Sequence, residues 1–178
     1  MQKTISLIAT IVFAISIACS VIGTATPTPP SPAPGGIRGI LWHETCAFTG
    51  GEAGEPVVLG QGCVQWGAAP EEFGPNQVKD AFETGWAGVT LHLGSGACPS
   101  TGLATAITNA SGEYEFLGLN AGTYCVSYSN LSDGNDAILI PGAPTFPFRG
   151  DTGFSVTVNL AASEEKIADF GYAWQFYN

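Results

Sequence analysis

The stretch ITNASGEYEFLGLNAGTYCVSY, from Ile107 to Tyr128, decides the fold because it alternates between strand and turn patterns. In EYEFLGL, Tyr114 and Phe116 share one face and the glutamates share the other, which is the period of a half-buried strand. The segments NASG and NAG supply asparagine and glycine, which suit tight hairpin turns. TYCVSY repeats the alternation, with Cys125 facing away from its aromatic side. The stretch has no lysine, arginine or histidine, so it predicts architecture rather than reactive chemistry.

The composition of the 178-residue chain is that of a β-rich domain with many turns. Charged residues make up 11% and hydrophobic residues 45%, with 24 glycines and 12 prolines, a mixture that favours short strands over long helices. The formal net charge is -10, with only 5 lysines and arginines. A nucleic-acid-binding surface needs clustered cations to replace phosphate counterions. The sequence has no such cluster, so nucleic acid is excluded as a partner, whereas Ca²⁺ suits the acidic balance.

Residues 1–18 are predicted to be a lipoprotein signal peptide. Lys3 precedes the apolar run ISLIATIVFAISIA, which is short for a bilayer span. The tetrapeptide SIAC resembles a bacterial lipobox, with Cys19 as the lipidated residue. Two alternatives stay open. Ordinary cleavage after GTA at 23–25 would give a secreted protein, and retention of the apolar run as a membrane anchor is disfavoured by its length.

Residues 19–36 are predicted to be a Pro/Thr-rich linker. Proline fixes φ and removes amide donors, so TATPTPPSPAPGG stays extended and semi-rigid. Such a linker would hold the folded part, residues 37–178, away from whatever Cys19 is attached to.

The exported part contains Cys46, Cys63, Cys98 and Cys125. An even number of cysteines in an exported domain predicts two disulfides, for which three connectivities exist. The pairs Cys46–Cys63 and Cys98–Cys125 are favoured because each brackets one irregular stretch, and each bridge would add about 3 kcal/mol. Zinc is the competing interpretation, and it is disfavoured because no pair has the C-x-x-C spacing typical of structural zinc sites.

Further strand patterns lie on both sides of the opening stretch. They are IRGILWH, GVTLHLG, LATAIT, TGFSVTVNL and KIADFGYAW. In GVTLHLG, Val89, Leu91 and Leu93 share one face. Residues 37–178 therefore predict an all-β, immunoglobulin-like β-sandwich of about seven short strands. One long irregular loop, Glu44 to Gly85, interrupts it, and loops of this length are usually functional or held by cross-links or ions.

The segment GVTLHL followed by ATAITNASGEYEFLGLNAGTYCVSY is similar to a known signature. The signature is G-V-x-V-x-L, then T-x-x-x-G-x-Y-x-F-x-x-L-x-x-G-x-Y-x-V, of the SdrD B-like (serine-aspartate-repeat adhesin B-type) domain. That family is grouped with collagen-adhesin B-type and carboxypeptidase-regulatory-like modules, which are prealbumin-type β-sandwiches of bacterial surfaces. The resemblance covers residues 37–174, is most specific over 88–128, and includes DFGY at 169–172 as the last strand. It implies a non-enzymatic spacer or adhesive module.

The resemblance also implies a calcium loop before GVTLHL, which the family writes D-x-N-x-N-G-x-x-D-x-x-E. Counted as a twelve-residue oxygen-ligand loop, the possible calcium ligands are Glu72, Asn76, Val78 through its carbonyl, Asp80 and Glu83. The loop departs from the pattern, since Gly74 has no side-chain oxygen, Gln77 replaces the bend glycine, and Lys79 adds a positive charge. Ca²⁺ is the one cofactor expected, and a solvated acidic loop is the alternative.

The expected function is that of a non-catalytic module on a bacterial cell surface, lipid-anchored to the membrane, as a spacer or as an adhesion domain for a surface protein or glycan. No enzyme is expected, because WHETC lacks the second histidine of H-E-x-x-H and no G-x-S-x-G elbow is present. The alternative is a carbohydrate-binding module whose exposed aromatic rings stack on sugars. The candidate rings are Trp42, Trp66, Trp86, Trp174, Phe176 and Tyr177.

Overall fold

The computed structural model describes residues 33–51, 55–68, 72–149 and 153–174, all within the compact unit of residues 32–178. The predicted signal peptide, Cys19, most of the linker, Phe176 and Tyr177 lie outside the described residues. The elements are β1 Gly35–His43, β2 Phe48–Thr49, β3 Val58–Leu59, β4 Cys63–Gln65, β5 Phe73–Pro75, β6 Thr90–Ser95, β7 Ala104–Ile107, β8 Glu113–Leu119, β9 Gly122–Tyr128, α1 Asp136–Leu139, β10 Gly142–Phe146, β11 Ser155–Leu160, β12 Glu165–Ile167 and β13 Phe170–Trp174. Within these ranges, no helix has the length and apolar character needed to cross a membrane.

Two sheets form the body of the domain. The first has the order β10-β13-β1-β12, with β8 also paired to β1, and the second has the order β11-β9-β6-β7. Strands β12 and β13 follow each other along β1 and run parallel to it, with Lys166 opposite Ile37 and Gly171 opposite Trp42. The predicted all-β sandwich is therefore confirmed.

The core lies between these sheets and follows the alternation of the sequence. Leu91 and Leu93 of β6 are fully buried, as predicted, and they share one cluster with the aromatic residues of β8. Tyr128 of the second sheet meets Phe170 and Tyr172 of the first, with ring centres 5.2 and 6.2 Å apart. These contacts join the two sheets through large apolar surfaces, which is the main source of stability in such a fold.

Two disulfides are present, which confirms that prediction. They join Cys46 to Cys63 and Cys98 to Cys125, with Cα atoms 4.6 and 4.9 Å apart, the pairing that the sequence favours. Cys125 is fully buried because the segment after β6 folds back over its strand. Gly94 allows this close approach, since a Cβ there would lie 2.1 Å from the backbone of Ser100.

The parallel pairing of β1 with β13 gives the domain two distinct ends. The chain enters β1 at Gly35, which we call the proximal end, and β1 spans about 26 Å to His43. His43 is opposite Tyr172, so β13 also finishes at that second end, which we call the distal end. The long loop therefore starts from the distal end.

Outside the long loop, the structure departs from the predicted strand pattern at three places, and each has a local cause. The Pro-rich segment after β9 contains β10, which pairs with β13 at the edge of its sheet, where Pro144 needs no ladder partner for its missing amide. KIADFGYAW forms two strands, because the Asp169 carboxylate accepts the Ile40 amide at 2.9 Å. The single turn α1 follows Asn135, whose buried side chain bonds both backbone groups of Thr90.

The loop from Glu44 to Gly85 contains two small ribbons that the sequence did not predict. Strand β2 pairs with β3, and β4 pairs with β5. The Cys46–Cys63 bridge connects the start of the first ribbon to the second. The ribbons stand beside the distal end and form one wall of a cavity.

Candidate functional site

A cavity of about 660 Å³ opens at the distal end. The sandwich contributes His43, Trp174 and the β10 residues 143–145, and the ribbons contribute the wall that faces them. The aromatic members of that wall are Phe48, Trp66 and Phe73. Aromatic side chains of the long loop and of β13 therefore meet at one opening, which is typical of a binding site.

The aromatic rings of each wall support one another. Phe48 and Phe73 make an edge-to-face contact with ring centres 4.9 Å apart. On the sandwich side, Trp174 lies 5.9 Å from His43 and 5.2 Å from Trp86. Such pairs hold rings in fixed orientations, so both walls present preformed apolar surfaces.

Trp66 is held between a glycine and an arginine. A Cβ at Gly74 would lie 2.2 Å from the Trp66 ring, so only glycine allows the indole to lie against β5. On its other side, the Arg149 guanidinium carbon is 3.6 Å from the ring centre, a cation–π geometry. The indole Nε1 donates to the carbonyl of Pro75 at 3.4 Å. Trp66 is nevertheless 46% exposed and belongs to the cavity lining.

A buried carboxylate fastens the long loop to the sandwich next to the cavity. Glu44 is 1% exposed, and it accepts hydrogen bonds from the Gln77 amide and the Thr145 hydroxyl. The Gln77 side chain in turn donates to the Thr145 carbonyl. Gly171 leaves room for this arrangement, because a Cβ there would lie 2.8 Å from the Glu44 carboxylate.

Burial raises the pKa of Glu44 above its ordinary value of 4.5, although the hydrogen bonds from Thr145 and Gln77 oppose the rise. An acid whose pKa is higher in the folded state stabilises the fold most when it is protonated. Its contribution is therefore complete below pH 4.5 and is lost as the pH rises through the folded-state pKa.

Glu44→Gln is expected to change how stability depends on pH. Glutamine keeps one acceptor oxygen and does not titrate, so the free energy of unfolding of the variant should rise relative to that of the wild type as the pH rises above 4.5. Urea unfolding of both proteins between pH 4 and 8 measures the difference. Glu55→Gln, which replaces an exposed glutamate, is the control, and a difference that stays constant with pH would contradict the expectation.

Four of the five predicted calcium ligands, Asn76, Val78, Asp80 and Glu83, follow β5. Asn76 donates to the Asp80 carboxylate at 2.9 Å and accepts from the Val78 amide at 2.8 Å. Both Glu83 carboxylate oxygens accept backbone amides, from Thr45 at 2.8 Å and Asp80 at 3.0 Å. The Glu83 side chain is therefore committed to closing the loop.

Glu72 lies at the turn between β4 and β5, where its carbonyl accepts the amides of Trp66 and Gly67. Among the described residues, no group of three or more His, Cys, Asp or Glu side chains is placed to hold a metal ion. Calcium binding stays a prediction for this loop.

Calcium at ten times its dissociation constant is expected to raise the melting temperature by about 4 °C, if the loop binds the ion in the folded state alone. Thermal unfolding in millimolar CaCl₂, followed by excess EDTA, measures the shift and its reversal. Asp80→Asn should reduce it, and MgCl₂ at the same concentration controls for ionic strength. An unchanged melting temperature throughout the calcium series would end the prediction.

The two histidines occupy strands β1 and β6, as expected. His43 lies under Trp86, with ring centres 4.6 Å apart, and burial lowers its pKa. His92 pairs with Asp133 at 3.0 Å, and Ser132 donates to the same carboxylate at 2.7 Å. In this pairing the serine bonds the aspartate rather than the imidazole, so His92 is not placed as a base for Ser132.

Sequence reasoning found part of the cavity. It named Trp66 and Trp174, which both line the opening, and it also named Trp42, which is only 3% exposed and packs on Phe146. It missed Phe48, Phe73 and Arg149, because no local pattern connects residues from two ribbons and the segment after β10. The one signal in the sequence was the length of the loop, since long irregular loops are usually functional or held by cross-links or ions.

The fold and the cavity define an all-β sandwich module with one specialised end. Residues 71–143 match the family model of the SdrD B-like domain, which confirms the resemblance drawn from the sequence over this segment. No curated protein matches the chain.

Among solved structures, the minor pilin of Streptococcus agalactiae aligns with 83% of this chain, at 10% identity and a TM-score of 0.42. A DUF3823 family protein from Parabacteroides merdae aligns with 80%, at 12% identity and a TM-score of 0.36. The chain spans about half, 47%, of the length of each of these structures.

Proposed function

We propose that this protein is a non-catalytic module displayed on a bacterial cell surface, where it serves as a spacer and interaction domain. The SdrD B-like segment and the two disulfides fit an extracellular or cell-surface protein. The observation that carries the proposal is the parallel pairing of β1 with β13. A chain that enters at one end and finishes its last strand at the other holds its distal end away from its attachment.

The proposed attachment is a lipid on Cys19, connected to the proximal end through the Pro/Thr-rich linker of residues 19–36. Because the linker continues into Gly35, a membrane-tethered chain would present the distal end, with its aromatic cavity, to the surroundings. The acidic net charge of -10 would keep the domain off anionic lipid headgroups.

Expression of the wild type and of Cys19→Ser in a lipoprotein-processing bacterium tests the attachment. The wild type should fractionate with membranes, incorporate labelled fatty acid and be digested by external protease, whereas the variant should lose the label and the membrane association. A Cys19→Ser protein that stays in the membrane fraction would instead support a retained anchor. A labelled wild type that resists external protease while lysed cells do not would contradict surface display.

A carbohydrate-binding role is the second candidate, and it is favoured by one observation: Trp66 and Trp174 line the same cavity. Glycan-array binding that is abolished by Trp66→Ala or Trp174→Ala, and retained by Phe82→Ala, would support it. Phe82 is 47% exposed and lies outside the cavity lining, so it controls for the loss of any surface aromatic residue.

A further inference from the structure

We propose that the distal cavity binds a small organic acid, with a planar aromatic body between the two walls and a single carboxylate at Arg149. This inference goes beyond the spacer role and assigns the interaction end of the domain a ligand class. It depends on the cavity alone, and it holds whether or not Cys19 is lipidated.

The size and the walls of the cavity suit a small planar body. A volume of about 660 Å³ lies within the range of small-molecule sites. Phe48 and Phe73 face the opening from the ribbons, and Trp174 faces it from the sandwich. The indole Nε1 of Trp174 already donates to the Ile138 carbonyl at 3.2 Å, so this side chain offers its ring rather than a donor.

The polar groups around the cavity are largely bonded within the protein. The Glu44 carboxylate accepts hydrogen bonds from the Gln77 amide and the Thr145 hydroxyl, and the Thr145 carbonyl accepts one from the Gln77 side chain. A polyhydroxylated ligand loses its hydrogen bonds to water when it enters the cavity. Because these protein groups are already bonded, each ligand hydroxyl without a new partner would lower the affinity. An apolar body carries no such cost.

Arg149 is the residue of the cavity lining best suited to bind a charged group of a ligand. Among the described residues of the lining it is the one lysine or arginine, and no described carboxylate lies within ion-pair distance of its guanidinium. It lies over the Trp66 ring at 3.6 Å and donates to the Pro75 carbonyl at 3.4 Å, and its charge attracts that of Glu44 without a direct ion pair. Because the guanidinium is planar and has several donors, it can hold a carboxylate in two parallel hydrogen bonds while it remains stacked on the indole.

The other titratable groups at the cavity determine the orientation of the bound ligand. His43 lines the sandwich side, and burial lowers its pKa, which leaves it neutral near pH 7. Glu44 holds its carboxylate beneath Thr145, so an anion placed there would be repelled. The carboxylate of the ligand therefore belongs at Arg149, with the aromatic body directed towards His43 and Trp174.

Calorimetric titration of the full chain with three matched probes tests the inference. The probes are 2-naphthoate, neutral 2-naphthalenemethanol and cationic 2-naphthylmethylamine, which share one ring system. We expect 2-naphthoate to bind about tenfold more tightly than the alcohol, and the amine to bind most weakly. Arg149→Gln should make the acid and the alcohol equal, and Arg149→Lys should restore part of the preference.

Phe73→Ala should weaken binding of the acid and the alcohol by a similar factor of at least about five. Arg38→Gln, which removes an exposed arginine of β1 that pairs with Glu115 and Glu165, should leave all three titrations unchanged. Thermal unfolding of each variant confirms that it is folded. Equal affinities of the wild type for acid and alcohol, a preference that survives in Arg149→Gln, or binding of glycans but not of 2-naphthoate would each overturn the inference.

Discussion

Phe170→Ala is expected to lower the free energy of unfolding by about 4 kcal/mol, within the range for removing a buried aromatic side chain. Phe170 is fully buried at the start of β13 and makes an edge-to-face contact with Tyr128 of the opposite sheet, with ring centres 5.2 Å apart. The substitution removes an apolar ring and leaves a cavity at the junction of the two sheets, where rigid strands limit collapse. Urea unfolding followed by circular dichroism measures the loss.

Ile167→Ala is the matched control. Ile167 lies three residues earlier along the same edge of β1 but is 68% exposed, so its loss should change stability by no more than about 0.5 kcal/mol. If both variants lost the same free energy, Phe170 would not connect the two sheets, and the sandwich as described would be wrong.

The strands that the sequence predicted best are those with alternation over many residues. EYEFLGL was predicted and observed with the same bounds, because its buried and exposed positions alternate from Glu113 to Leu117. Strands of two or three residues, such as β2 and β4, have no period to detect. They form because the Cys46–Cys63 bridge and the contacts with the distal end hold them, and these are tertiary constraints.

The departures from the calcium pattern acquire a physical reason in the structure. Gly74, which lacks a ligand oxygen, is the residue that lets the Trp66 ring lie on β5. Gln77, which replaces the bend glycine, adopts a φ of 65° and bonds both Glu44 and Thr145. A left-handed backbone is unusual for such a residue, and here it is held by buried partners. At both positions the sequence serves the cavity and its supporting network.

The cavity itself could not be predicted from the sequence, because it depends on the parallel pairing of the first and last strands. That pairing brings Trp174 beside His43, and it places the loop that carries Trp66 and Phe73 next to both. Aromatic residues near loops suggested a binding surface, but the spacing of residues in the chain held no information on which of them would meet.

Paired removal of each disulfide is expected to separate the stability of the sandwich from that of the cavity wall. The double variant Cys98→Ala, Cys125→Ala lacks the bridge between two residues that are 27 apart in sequence. Its free energy of global unfolding should be lower by about 3.5 kcal/mol. Cys125 is fully buried in β9, in the middle of its sheet, so the whole fold depends on this bridge. The matched change, Cys46→Ala with Cys63→Ala, opens a 17-residue separation.

The Cys46–Cys63 change should have its main effect on the long loop, because the ribbons it ties are short and largely exposed. Limited proteolysis should then cut within residues 44–85 at least tenfold faster, while urea unfolding monitored by near-ultraviolet circular dichroism keeps most of the wild-type stability. The affinity of this variant for 2-naphthoate should also fall, since the Cys46–Cys63 bridge supports the wall that carries Phe48 and Phe73. Equal losses of global stability for the two paired variants would show that the loop unfolds together with the sandwich. The cavity would then be part of the same cooperative unit, and its wall could not open without loss of the core.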